Sequence, residues 1–184
     1  MNIKLIIGLG NPGPKYKDTY HNAGFLFIDN LIKNLRDSRF DIRISNLLRS
    51  NVFMNESGGF VKKMLKKSGA KPEELLVAQD DSDLYIGEYK LAFDRGSAGH
   101  KGVQSVIDAL GTKKFWRLRL GIRPDIAHRG ADHALPKLRW AKAGLPAVAR
   151  RARAGEFVLK KIRKEDKEKV IKAIERAVVE IFGY

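Results

Sequence analysis

Residues Lys4 to Leu9 form a short run rich in isoleucine and leucine that stops at Gly10-Asn11-Pro12-Gly13. A run too short for a helix and closed by turn formers predicts a buried strand. Helical spacing takes over from Asn22, with Phe25, Ile28, Leu31, Ile32 and Leu35 on one face. The same alternation continues along the chain. Asp41 to Leu48 reads as a strand, Ser57 to Ser68 as an amphipathic helix stopped by Gly69, and Leu75 to Ala78 as a buried strand closing on an acidic cluster, Asp80-Asp81-Ser82-Asp83. Tyr89 to Phe93 suits an antiparallel or edge strand. A glycine-rich turn, Arg95 to Gly99, leads into a helix with Val103, Val106, Ile107 and Leu110 inward. Arg117 to Ile122 alternates basic and apolar residues like a half-exposed strand. The last helix runs from about Glu165 to Phe182 and buries Val170, Ile171, Ile174, Ala177, Val178 and Ile181. Strands alternating with helices imply an α/β fold: one three-layer sandwich, a twisted, mixed but mostly parallel sheet with helices on both faces.

In such folds ligands sit beyond the carboxyl ends of the strands. The loops to inspect are therefore 10–21, 49–57, 79–85 and 94–101. Gly8-Leu9-Gly10-Asn11-Pro12-Gly13 matches the dinucleotide fingerprint, but that motif needs a helix to begin within it. Pro12 and Pro14 interrupt the stretch, and helical periodicity resumes only after His21, which argues against a nicotinamide or flavin cofactor.

Charge narrows the partners. The chain has 36 Lys and Arg against 21 Asp and Glu, a net +15. Residues 1–112 carry 16 basic and 13 acidic side chains, a net +3; residues 113–184 carry 20 and 8, a net +12. A field concentrated in this way attracts polyanions, nucleic acid foremost. A hydrophobic fraction of 43% fits a folded domain rather than a disordered one. No apolar run approaches the ~20 residues of a membrane span. The absence of cysteine removes disulfides, thiolate ligands and cysteine nucleophiles, and with no secretory signal the expected location is the cytoplasm. Residues 123–156 hold eight basic and three acidic residues, with Pro124, Pro136 and Pro146 and the run Arg150-Arg151-Ala152-Arg153. They read as a basic excursion from a single domain spanning 1–184, with a short helix near 137–153.

His21 follows the first strand-end loop, and Asp80 closes a separate strand on the same sheet edge. A buried carboxylate accepting one imidazole N–H would leave the other nitrogen free as a base. Alternatively, His21 caps a helix, and Asp80, Asp81 and Asp83 form a turn or a Mg-like ion site. Asn11, Asn55 and His100 occupy the other strand-end loops, and His100 stands where a helix N-terminus could meet a phosphate or an oxyanion. No Gly-x-Ser-x-Gly elbow exists, so a covalent serine route is not expected.

GLGNPGPKY…YHNAG, FMNESG, LLVAQDDSDL, GSAGHKG and FWRLRLGI, in that order, resemble the signature segments of bacterial-type peptidyl-tRNA hydrolases. The similarity covers roughly residues 3–122 and resumes at Phe157. The resemblance implies hydrolysis of the ester joining a peptide to tRNA, recycling tRNA from stalled or aborted translation. His21 would be the general base, Asp80 its orienting carboxylate, and Asn11 the residue that separates peptidyl-tRNA from free-amine aminoacyl-tRNA. Tyr16, Phe53, Met54 and Asn55 would line the site for the terminal adenosine and the peptide. His100 and Lys101 would contact substrate, and Arg119 the acceptor stem. No metal or organic cofactor is implied, the partner is the acceptor stem and 3′ adenosine of peptidyl-tRNA, no membrane is involved, and a monomer is expected.

The chain departs from the family pattern in several places. Lys101 stands where asparagine is usual, after a glycine pair shortened to Gly99. Tyr20 replaces a common arginine, Ser50 a usual proline, and Ala92 a frequent basic residue. The 123–156 segment exceeds the usual connection, and most of the excess is basic. A non-catalytic RNA-binding relative is the rival reading, supported by Lys101 and opposed by the joint presence of His21, Asp80, Asn11 and Asn55.

Overall fold

The computed structural model describes residues 1–35, 46–124 and 157–183. Strand β1 (Leu5–Gly8) is buried at every position, as its unbroken apolar run requires. It pairs in parallel with β2 (Leu47–Arg49) on one side and β3 (Leu75–Tyr85) on the other. Strand β5 (Trp116–Arg123) runs parallel to β3, and β4 (Tyr89–Phe93) pairs antiparallel with β5 at the sheet edge. The order is β2-β1-β3-β5-β4.

Two apolar clusters, one on each face, hold the helices. Ile6, Leu76, Ala78, Leu118 and Leu120 meet Phe27, Ile28 and Leu31 of α1 (Ala23–Leu35) and Val170, Ile174 and Ala177 of α4 (Lys164–Phe182). On the opposite face Leu5, Ile7, Leu75 and Val77 meet Val61 and Leu65 of α2 (Ser57–Ser68) and Val103 and Val106 of α3 (Lys101–Leu110). The alternation of odd and even strand residues between the clusters is the pleat expressed as packing. This is the expected three-layer sandwich.

Several details correct the sequence reading. Strand β3 does not end at Ala78; it runs on through the acidic cluster to Tyr85, with a register shift between Asp81 and Tyr85. Segment 79–85 is therefore strand rather than loop, because Asp80 and Asp81 find partners that make an extended, buried path tolerable. Strand β5 is interior rather than half-exposed. Arg117 is buried, its guanidinium donating to the Gly96 carbonyl at 2.8 Å, and burial lowers its pKa. In α4, Ile171 and Val178 are only half-buried, while Ala173 and Asp166 are buried. The expected strand at Asp41–Leu48 is observed at Leu47–Arg49, with 41–45 outside the described residues. The helix expected near 137–153, and nearly all of the basic excursion, also lie outside them.

One close approach sets the height of α1 over the sheet. A Cβ on Gly24 would stand 2.4 Å from the Ala78 carbonyl oxygen and 2.5 Å from that of Leu9. The opposing Gly8 is equally tight, since its Cβ would lie 2.1 Å from the Gly24 oxygen. Nothing but glycine fits at this crossing, and it brings the residues just before α1 down to the strand ends. Gly24→Ala is expected to destabilise the fold by roughly 1–3 kcal/mol through overpacking. Urea denaturation measures this, and an unchanged midpoint would contradict the contact.

Candidate active site

The turn Tyr20–Asn22 precedes α1 and delivers His21 to the middle of β3, just past the end of β1. There the His21 Nδ1 lies 2.7 Å from Asp80 Oδ1. The same oxygen meets His100 Nε2 at 3.0 Å. Asp80 is 3% exposed, yet its carboxyl is held far below the usual carboxylate range. Burial alone would raise it, but the two imidazoles, by charge and by hydrogen bond, overcome that penalty.

The hydrogen-bond pattern fixes both tautomers. His100 is the N-cap of α3, and its Nδ1 accepts the Val103 N–H at 3.3 Å. Its proton is therefore on Nε2, which donates to Asp80. An ionised carboxylate only accepts, so His21 donates from Nδ1, and in its neutral form the unprotonated nitrogen is Nε2. Burial works against protonating His21, but the charge of Asp80 and its hydrogen bond prevail, and the pKa rises above the ordinary imidazole value; the Lys101 charge opposes the rise. The ligand atoms of His21, Asp80 and His100 lie within 4.8 Å of one another, close enough to share a metal ion, and their mutual hydrogen bonds account for the spacing without one.

Asn11 is set with equal definition. Its backbone N–H donates to Asn22 Oδ1 at 2.8 Å, and its carbonyl accepts from Asn22 Nδ2 at 3.0 Å. Its own Oδ1 accepts the Met54 N–H at 2.9 Å. The acceptor end of the Asn11 amide is thus consumed, and the Nδ2 end remains to donate. Ser50 closes the same corner, donating to the Gly10 carbonyl at 3.2 Å.

The backbone of the histidine turn is gripped by a segment far away in the chain. Residues 157–162 lie against 18–21: the His21 N–H donates to Val158 O at 2.8 Å, Tyr20 N–H to Lys160 O at 3.2 Å, and Ile162 N–H to Asp18 O at 2.7 Å. Tyr20 stacks on Phe157 with centroids 4.4 Å apart and donates its hydroxyl to Asp166 Oδ2 at 2.5 Å. Arg163 grips the same carboxylate with two bonds of 2.9 Å. Burial, with the hydrogen bond to Asp166, pushes the Tyr20 phenol up to about 12.

Asn11, His21, Asp80, His100 and Lys101 line one cavity of about 280 Å³, joined by Gln79, Val158 and Leu159. The remaining sequence candidates stand elsewhere. Met54 is buried and contributes its amide to Asn11. Tyr16 and Phe53 meet edge to face at 6.2 Å, with Phe53 exposed. The Asn55 side chain is exposed, and its carbonyl accepts from Ser105. Arg119 is paired with Asp81 at 2.5 Å. His100 has both ring nitrogens engaged inside the protein, which leaves neither for a phosphate. Asn22, Val158 and Leu159 were not singled out from sequence. The adjacency of Asn22 to His21 was the one available signal, and nothing local marks the other two.

Comparison with known proteins agrees with this geometry. The family model described as peptidyl-tRNA hydrolase matches residues 5–182. A peptidyl-tRNA hydrolase of Cupriavidus pinatubonensis is 38% identical, covering 96% of this chain and 88% of the relative. One from Bordetella avium is 40% identical over 83% of each chain. The crystal structure of peptidyl-tRNA hydrolase from Acinetobacter baumannii superimposes with a TM-score of 0.72 at 28% identity, covering 98% of this chain and 88% of that one. With a match along nearly its whole length and one sheet order bringing the matched loops to a single edge, this chain belongs to the peptidyl-tRNA hydrolase family.

Proposed function

We propose that the chain hydrolyses peptidyl-tRNA by general-base catalysis at His21. The observation that carries the assignment is the fixed tautomer: Asp80 accepts a hydrogen bond from the His21 Nδ1–H, so in the neutral ring the unprotonated nitrogen is Nε2, on a ring lining the cavity. His21 Nε2 removes a proton from water, and the water oxygen attacks the ester carbonyl. The tetrahedral intermediate collapses with expulsion of the ribose oxygen, which takes the proton back from His21. The products are a peptide carboxyl group and a tRNA bearing a free hydroxyl.

The Asn11 Nδ2, the Lys101 ammonium, Asn55 or backbone amides would hold the developing oxyanion, and of the three side chains Asn11 and Lys101 line the cavity. Asn11 also suits discrimination between an acylated and a free α-amine. His100 acts through Asp80, holding the carboxylate rather than substrate. The exposed Phe53 edge and Tyr16 offer faces on which the 3′ adenine can stack. Arg119 organises Asp81 through Nε, and its remaining guanidinium N–H groups are what it can offer the acceptor stem. The basic excursion supplies further phosphate contacts, and the enzyme acts in the cytoplasm as a monomer. No described helix is long and apolar enough to cross a membrane.

His21→Ala is expected to lower kcat on N-blocked aminoacyl-tRNA by about 10²–10⁴-fold while tRNA affinity stays within a factor of about two. Near-full turnover would remove His21 as the base. Only neutral His21 can act, so kcat/KM should fall with decreasing pH through a limb above about 6.5, the ordinary imidazole value. Asp80→Asn should move that limb down in pH while lowering the plateau, and Lys101→Asn should move it up. Neutralising Arg150, Arg151 and Arg153 together should flatten the salt dependence of tRNA binding by a slope of about one or more. An unchanged slope takes the segment out of the interface.

A further inference from the structure

The base enters the site on a turn too short to hold itself. Thr19 precedes Tyr20–Asn22 without a side-chain cap bond to it, and the Thr19 hydroxyl donates instead to the Tyr16 carbonyl at 2.8 Å. Much of the turn's support comes from residues 157–162. Thr19 bridges Lys161 in antiparallel fashion, and the N–H groups of Tyr20 and His21 donate to the Lys160 and Val158 carbonyls at 3.2 and 2.8 Å. A two-stranded ribbon of this length is not stable by itself. It has to be fastened to something larger.

The Tyr20 side chain runs from this ribbon to α4. It is 3% exposed and held both on the ring and at the hydroxyl. The ring stacks on Phe157 with 29° between the planes, and the hydroxyl donates to Asp166 Oδ2 at 2.5 Å. Asp166 is 1% exposed and sits in the first turn of α4, where a helix N-terminus favours negative charge. Arg163 Nε donates to the same oxygen, and the end of its guanidinium to Oδ1, each at 2.9 Å. The Arg163 charge compensates the buried carboxylate, so position 20 can supply a neutral donor where the family commonly has arginine. Tyr20 does not line the cavity that His21 lines, so its phenol can reach the chemistry only through its neighbour.

We propose that Tyr20, anchored on Asp166, is a positioning residue for the general base: it latches the histidine turn to α4 and so keeps His21 Nδ1 on Asp80. The inference rests on the reading of His21 as the base of a peptidyl-tRNA hydrolase. A misplacement of about 1 Å can cost 10²-fold in rate, so a latch outside the cavity is felt in turnover without any contact to substrate. The groups that face the His21 ring are Asp80 on β3 and His100 and Lys101 at the start of α3, with Asp81 and Asp83 along the same cavity. Asp80 raises the imidazole pKa and Lys101 opposes it, so a loosened Asp80 bond lowers it.

The test uses the full chain with Tyr20→Phe, which keeps the stack on Phe157 and both Arg163 bonds to Asp166. On N-blocked aminoacyl-tRNA its kcat should fall about tenfold or more while KM stays within about twofold. The acid limb of kcat/KM should move down in pH. In isotope-labelled histidine the His21 Nδ1 proton should exchange with solvent faster than in the wild type. Val170→Ala removes packing from the buried face of the same helix and leaves the latch intact. It should lower the melting temperature yet leave kcat and the limb near wild type. Tyr20→Phe combined with Asp166→Asn should be no slower than the slower single variant, because the hydroxyl acts through that carboxylate. Full kcat and unchanged proton exchange in Tyr20→Phe would overturn the latch. So would an equal loss of kcat and an equal limb shift in Val170→Ala, or fully multiplicative losses in the double variant. The proton exchange needs no turnover: a wild-type chain that left the substrate intact would overturn the functional reading, and the exchange rates would still decide the latch.

Discussion

A single carboxylate oxygen, Asp80 Oδ1, is the point on which the site is hung. A buried ionised carboxylate is costly unless several donors meet it. Here two imidazole N–H groups do so, from the turn before α1 and from the cap of α3. The two histidines come from helices on opposite faces of the sheet, so the oxygen ties all three layers together at one edge. Because the proton on His100 is set by a backbone N–H of α3, the tautomer of His21 is stabilised by a chain of bonds that ends in secondary structure. Distortion of the start of α3 would therefore be felt as a change in base strength rather than only as a loss of packing.

The second constraint is steric. The crossing of Gly8 and Gly24 lets a helix start lie almost on the strand backbone, which is how a residue just before α1 can reach a residue on β3. The amide exchange between Asn11 and Asn22 then fastens the loop that spans the gap.

Much of this was legible in the sequence. The boundaries of α2 follow from four apolar positions and Gly69, which adopts the left-handed φ of 67° that a helix end favours. The pairing of His21 with Asp80 follows from setting both just past the apolar stretches of neighbouring strands, although Asp80 itself lies within β3. What was illegible was decided by partners distant in the chain. Asp80 and Asp81 look like turn residues because charge in a short cluster usually means solvent, yet His21, His100 and Arg119 make them strand. Arg117 reads as half-exposed because periodicity cannot show that the 95–99 turn folds over it. His100 was expected to face substrate, since nothing in the sequence reveals that its own helix occupies Nδ1. The contact of 157–162 with 18–21 carries no local pattern at all.

That contact has a consequence for the order in which the molecule is made. The hydrogen bonds that hold the backbone of His21 and Tyr20 come from residues 158 and 160, and the anchor of the Tyr20 hydroxyl is Asp166. All are translated long after the turn they act on. A ribosome-bound chain can pair β1 through β5 and hold most of its apolar core while the histidine turn still lacks its far-side support. Competence would then arrive late and abruptly, with emergence of the first turn of α4 from the exit tunnel, rather than growing in step with the fold.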